Sequence, residues 1–358
     1  MNGEEWTLAA VWVLTAVLLL FQPWMSRKNV AFGVVFGSDR IWEEKEVRGI
    51  RRRYCLAAGT GMVLITAALA GYALLFHPDA EAEAAAFLIG LVVLLTYGTA
   101  VYIVFHGRMR SYKASRTPDA NLVSDKISVE LSLPDRDTVV SAGWFALFLP
   151  VLLATYAAAL FGYPLMPSSV PVHYNMRAAD AWAEKSGWIV LEPALLSTLS
   201  TAILFVCGLF MRRAPASVRG NPEAAPKAYR FRKYSVFLLL FTAILMQSSF
   251  LAVEAGYFVF VPPLWFLLPS LAGVVLVAAV LYLYFRFVRA KKPKGEILDD
   301  DDRWVLGMFY YDPANPSVFV EKRVGIGYTP NYGRPAAWLM TIGIIAVIVA
   351  SVLLSTRS

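Results

Sequence analysis

Cysteine is almost absent from this chain, and charge is scarce. Two cysteines stand among 358 residues, with no Cys-x-x-Cys or Cys/His spacing, which excludes a zinc-ribbon site and a disulfide-stapled secreted domain. Cys55 opens one apolar run and Cys207 closes near the end of another, so both read as small buried apolar residues. Charged residues are 16% of the total, against roughly 25% in soluble domains. Gly-x-Ser-x-Gly, His-Glu-x-x-His and Walker patterns are all missing, so the usual motifs of a nucleophile elbow, a zinc protease and a P-loop are not here. Gly325-Ile326-Gly327 lacks the third glycine of a dinucleotide fingerprint. The acidic run Asp299–Asp302 is contiguous and lacks the alternation of a calcium loop, so it reads as solvating a linker or neutralising the adjacent basic run.

What fills the chain instead is apolar, at 58% of residues. Spanning a bilayer takes about 20 apolar residues in a helix. Eight stretches qualify: 6–25, 54–76, 84–105, 141–162, 191–211, 235–258, 264–288 and 337–355. Glu4 and Glu5 precede the first, and Arg27 and Lys28 follow it, the reverse of a secretory signal, so it reads as a retained helix.

The net charge of +7 could suggest nucleic acid, but the basic residues sit in short segments flanking the apolar runs. Segments 26–53, 106–140, 212–234 and 286–336 hold 8, 6, 7 and 9 Lys and Arg, which is 30 of the 33. The alternate segments hold only Arg177, Lys185 and Arg357. The positive-inside rule therefore predicts cytosolic basic loops, with both termini and loop 163–190 outside. The expected fold is an all-α polytopic membrane protein of about eight transmembrane helices with a small cytosolic β element. Its divisions are an N-terminal four-helix region (1–162), an external motif loop (163–190), a three-helix region (191–288), a β-hairpin-like segment (289–336) and a last span (337–358).

The β element is read from Arg303–Tyr311 and Val318–Tyr328, rich in aromatic and β-branched residues, with Asp312-Pro313-Ala314-Asn315-Pro316 as the turn between them. The alternation over 126–133 suggests a third strand.

Two groups of residues could carry function. The external loop places Pro171, His173, Tyr174, Asn175, Asp180, Trp182 and Lys185 within a short stretch, an arrangement suited to binding a ligand. The bland alternatives are a His bonded within a folded turn and a Trp at the headgroups. Within the spans, Glu254 is an intramembrane carboxylate, a functional candidate by default. Gln247 shares its helical face, and Glu192 stands at the mouth of a neighbouring span. Glu254 could instead snorkel to the interface. Neither set requires a metal, and the sequence implies no cofactor.

The pattern Val-Pro-x-His-Tyr-Asn followed by Asp, Trp and Lys resembles a domain of unknown function in the sporulation-delaying-toxin immunity family and related Gram-positive membrane proteins. Ala178 stands where that family carries glycine. Residues 302–335 resemble a second such domain, with Trp304, Gly307, Tyr310, Glu321, Lys322, Arg323, Gly325, Gly327, Asn331, Gly333 and Arg334 carrying the likeness. Residues 29–53 are similar to the family's first cytosolic loop. The resemblance implies protection of a cell from an extracellular toxic peptide and sequestration of a cytosolic regulator at the membrane. The expected partners are the lipid bilayer, an extracellular peptide ligand and a cytosolic regulator, with no direct nucleic-acid contact. Two other readings stay open: a transporter or lipid carrier, and an envelope enzyme using His173 with Glu192 or Glu254.

Overall fold

A computed structural model describes residues 3–117, 122–123, 139–174, 179–214, 225–259, 261–262, 275, 278–279, 282, 297–325 and 327–355. The described part is dominated by helices. Five are long and apolar enough to cross a membrane: Lys45–Phe76, Ala85–Ala114, Ala142–Leu165, Gly187–Met211 and Tyr229–Gly256. Two shorter apolar helical stretches, Leu8–Trp24 and Pro335–Ala346, flank them. These mark the chain as a multi-pass membrane protein. The expected span 264–288 lies almost wholly outside the described residues, as does the expected strand 126–133.

The helices form two packed groups. In the first, α1 (Gly3–Phe21), α2 (Lys45–Phe76) and α3 (Ala80–Ala114) enclose Trp12, Tyr54, Leu94, Tyr102, Phe105 and Met109. At 1.5 Å per residue, the 32 residues of α2 and 35 of α3 run to roughly 50 Å, against a hydrocarbon core of about 30 Å. Their Arg- and Lys-bearing ends therefore project beyond the apolar stretch and build a platform. In the second group, α4 (Phe148–Gly162), α5 (Gly187–Met211) and α6 (Ala225–Gly256) pack on one another, and the C-terminal helix (Pro335–Ser355) lies against α5.

On the platform sits a hairpin of β1 (Val30–Ala31) and β2 (Val34–Val35), joined through Phe32 and Gly33. Both turn residues have positive φ, 50° and 76°, as a two-residue turn matched to strand twist requires. Phe32 tolerates that conformation because it is fully buried, against Trp42, Tyr54, Tyr102 and Phe105. Burying such a ring is worth about 2–3 kcal/mol, enough to offset the roughly 1–2 kcal/mol that a left-handed residue costs.

The expected β element pairs differently from the sequence reading. Rather than one hairpin turning at Asp312–Pro316, each half folds on itself. The strands β7 (Trp304–Val305) and β8 (Phe309–Tyr310) form one pair, and β9 (Phe319–Glu321) with β10 (Tyr328–Pro330) another. Before them, β6 (Ile297–Leu298) runs parallel to β3 (Leu122–Val123). The physical reason is local. Leu306 and Gly307 both take positive φ, 54° and 71°, and close the first pair early. Asp312–Pro316 then becomes a connection, bridged by Asn331. At the opposite end of the bundle, β4 (Ser169–Tyr174) and β5 (Ala179–Glu184) form an antiparallel hairpin between α4 and α5, with bulges around His173.

Candidate functional site

The described parts of the basic segments meet at one end of the molecule, and their centre is a buried charge network. Arg323, 1% exposed, donates to Asp301 and Asp300 and, at 2.9 Å, to the carbonyl of Gly33. Its guanidinium lies 5.0 Å over the ring of Trp304, whose Nε1 donates to Asp300 at 3.0 Å. Asp301 accepts from Val35 N at 3.1 Å and pairs with Lys113 at 2.7 Å. Lys113 also holds Asp299 at 2.7 Å, and the exposed pair Arg110–Asp302 closes the set. A buried arginine is tolerable only when its fork is met by carboxylates in this way.

This changes the reading of the acidic run. Asp299–Asp302 does more than solvate a linker, and the adjacent basic run lies outside the described residues. The four aspartates neutralise cations that are 22 to 192 positions away in the chain. Contiguity hid the role, because the sequence shows neither Arg323 nor Lys113 as a neighbour.

Two glycine-bearing turns meet above this network. A β-carbon on Gly33 would fall 2.7 Å from the carbonyl oxygen of Gly307 and 2.8 Å from the Tyr102 hydroxyl. One on Gly307 would fall 2.5 Å from His106 Nδ1, the atom that bonds the Phe32 carbonyl at 2.7 Å. Backbone therefore lies on backbone, with α3 as the wall. Gly33 was invisible as a site residue; its signal was the Phe-Gly dipeptide between Val30-Ala31 and Val34-Val35.

The rest of the C-terminal segment is held by Asn331, which is fully buried. Its Nδ2 donates to the carbonyls of Asp312, Asn315 and Ser317, and its Oδ1 accepts from Asp312 N and Gly333 N. Gly333 is pressed against the Asp312–Pro313 peptide, and Arg334 Nε donates to the Asn315 carbonyl at 2.7 Å. Tyr310 donates to Asp312 Oδ2 at 3.1 Å, and burial, first among several causes, pushes its phenol above its usual range. Gly325 and Gly327, at φ 85° and 101°, shape the β9–β10 loop. Beside them Lys322 is exposed.

This loop reaches both helix groups. On the first, Glu321 pairs with Arg27 at 2.8 Å, Val324 bridges Ser26, and Gly325 N donates to Met25 O. On the second, Tyr328 stacks on Phe231 of α6, and Phe319 packs with Ala214 and Met340. Residues 319–330 are thus a clamp across the two groups.

A smaller tie joins the first loop to α3. Glu44 pairs with Arg116, whose hydrogen bond is the main cause holding its carboxyl below the usual range, against the opposing effect of burial. A depressed carboxylate stabilises the fold above the ordinary glutamate value, near 4.3. That contribution is lost as pH falls through the lower folded value. Glu44→Gln should therefore remove part of the acid sensitivity of this loop, read as hydrogen exchange at Glu44 and Arg48 between neutral and acid buffer. An unchanged acid profile would refute the assignment.

At the far end, the hairpin is seated by Val170, fully buried among Met166, Val190 and Tyr257. Pro171 is buried and registers opposite Trp182, which is 59% exposed. Lys185 is committed to structure: its ammonium bonds the carbonyls of Tyr163 and Met166 at 3.2 and 2.9 Å and lies 4.9 Å over the Tyr163 ring. His173 and Tyr174 occupy strand positions opposite Ala181 and Ala179, and Asp180 lies on β5. Asn175 lies outside the described residues, as do the side chains of His173, Tyr174 and Asp180.

Glu254 does not snorkel; it is 0% exposed, as is Gln247, whose Nε2 donates to Thr201 Oγ1 at 3.0 Å and the Phe148 carbonyl at 3.2 Å. Glu192 is half-buried on α5. Cys55 and Cys207 are free thiols. Among the described residues, no three His, Cys, Asp or Glu side chains gather as a metal set.

Two segments of the chain match families of unknown function. Residues 150–196, from α4 through the hairpin into α5, match a domain of unknown function (DUF1648). Residues 313–338, from the Asn331-centred connection into the C-terminal helix, match a family of unknown function (DUF5808). No curated protein and no solved structure matches the chain.

Proposed function

We propose that this chain is a cell-membrane receptor of the immunity type, which senses or resists an extracellular peptide or envelope ligand. In this reading it has eight spans, the β4–β5 hairpin faces outward with both termini, and the clamp faces a cytosolic regulator. The 30-to-3 split of basic residues supports that orientation. The observation that carries the reading is the pairing of two built surfaces at opposite ends: a hairpin with an exposed Trp182 and a clamp that touches both helix groups. Exposed aromatics on a rigidly seated hairpin are suited to gripping a peptide. The α4–α6 group joins hairpin to clamp, so a shift at one end has a packed route to the other.

The test is protection. A Gram-positive host expressing the chain is challenged with a panel of secreted membrane-active peptides. The wild-type chain should raise the inhibitory concentration of at least one peptide several-fold. The combined substitution of His173, Tyr174, Asn175 and Trp182 by Ala should abolish that gain, with membrane levels of the protein unchanged. Unchanged protection in that variant would sink the proposal, as would no protection by the wild type.

A transporter or lipid carrier is the second reading, favoured by the buried Glu254 and Gln247 inside the bundle. Substrate flux in proteoliposomes that Glu254→Gln abolishes would favour it over reception.

A further inference from the structure

The seam between α5 and α6 holds buried polar atoms that no protein group satisfies: both carboxyl oxygens of Glu254, Ser197 Oγ and Gln247 Oε1. All three residues are 0% exposed. Their levels can be read from the register. The helices run antiparallel, and the bond from Gln247 to Thr201 pins one level. Four residues nearer the hairpin end stand Ser197 on α5 and Leu251 on α6. Helical side chains lean toward their own N-terminus, so the Glu254 carboxyl leans down from its Cα toward the level of Ser197.

No cation answers this carboxyl among the described residues. The titratable side chains on the elements packed there are Tyr156 on α4, Tyr163 after it, Lys185 after β5, Glu192 on α5, and Tyr257 beyond α6. Tyr156 is bonded to Thr198 at 2.9 Å, and Lys185 is held by the two carbonyls below the hairpin. Glu192 would add like charge. A metal ion would need several oxygen donors around one point, and no such group of carboxylates is present among the described residues. An unpaired carboxylate sealed in an apolar seam is heavily penalised, whereas the neutral acid has no charge to desolvate.

We propose that the α5–α6 seam is a proton-binding site, with the sealed Glu254 carboxyl holding the proton. The step is a bare protonation: a proton adds to one carboxylate oxygen, and the same proton leaves, with no other bond changed. Losing it leaves a buried charge that the seam can carry only by opening to water, so proton occupancy and the packing of α5 on α6 are one equilibrium.

Infrared difference spectroscopy between neutral and strongly alkaline buffer tests this on the full-length protein in phosphatidylglycerol–phosphatidylcholine vesicles. The wild type should show a carboxylic-acid carbonyl band at neutral pH that alkali removes. Glu254→Gln should lose that band, and Glu254→Asp should keep a carboxylic-acid band at a shifted frequency, because the shorter side chain places the same group differently in the seam. Superimposable acid-region spectra of wild type and Glu254→Gln would overturn the proposal. Should Glu254→Gln fail to fold, Glu254→Asp decides alone, and a band there unchanged from the wild type overturns it.

Discussion

Arg323→Met should free the C-terminal segment from the first loop, at a cost of roughly 3–5 kcal/mol, the range for breaking a buried ion pair from one side. The loss is uneven. Asp301 keeps Lys113 and the amide of Val35, whereas among the described residues the Asp300 carboxylate keeps only the indole N–H of Trp304. Asp300 therefore bears most of the uncompensated charge. Adding Asp300→Asn to Arg323→Met should recover part of the loss, because the stranded charge goes with its partner. Hydrogen exchange at the amides of Lys322, Asn331 and Tyr332 reads the effect directly, since each bonds within the docked segment. Protection of those amides equal to wild type in Arg323→Met would refute the role given to the network. Arg323→Lys should also fail, because one ammonium cannot reproduce a fork that serves two carboxylates and a carbonyl.

Gly33→Ala should be nearly as severe, by a route without charge. The residue sits at φ 76°, and its new β-carbon would meet the Gly307 carbonyl oxygen at 2.7 Å. That atom is backbone and cannot rotate away, so the two turns must separate. Left-handed strain and overpacking together put the cost at about 3 kcal/mol or more. Gly49→Ala is the matched control: it lies inside α2 and would meet nothing within 4 Å, so it should be neutral or slightly stabilising. Thermal unfolding of both variants in detergent, alongside exchange in the clamp, separates the cases. Equal midpoints for Gly33→Ala and Gly49→Ala would contradict the packing of turn on turn.

Much of the frame was legible in the chain because membrane helices announce themselves. Long apolar runs with basic flanks need only composition, and five of the predicted spans coincide with long apolar helices. Their lengths were underestimated, since residues 45–53 and 106–114 are polar and continue the helices as a platform beyond the apolar stretch. The turn chemistry at Asp312–Pro316 was recognised, but its partner was not. Asn331 lies 19 residues beyond Asp312, and only the folded chain shows the bond between them. The same holds for Arg323 and the acidic run. Long-range ion pairs have no period and no local pattern, so the four aspartates read in the sequence as solvating a linker or neutralising the adjacent basic run. At the hairpin, alternation was broken by Pro171 and by bulges around His173, which hid the strand pair.

Residues 319–330 clamp onto the first loop through the bridge between Ser26 and Val324. Cysteine substitutions at those two positions, in a background with Cys55 and Cys207 replaced by alanine, test it most directly. Under mild oxidant in native membranes, an intramolecular disulfide should become the dominant species, and adding Arg323→Met should reduce its yield sharply. A yield no higher than that of a control pair on separate exposed loops would contradict the clamp.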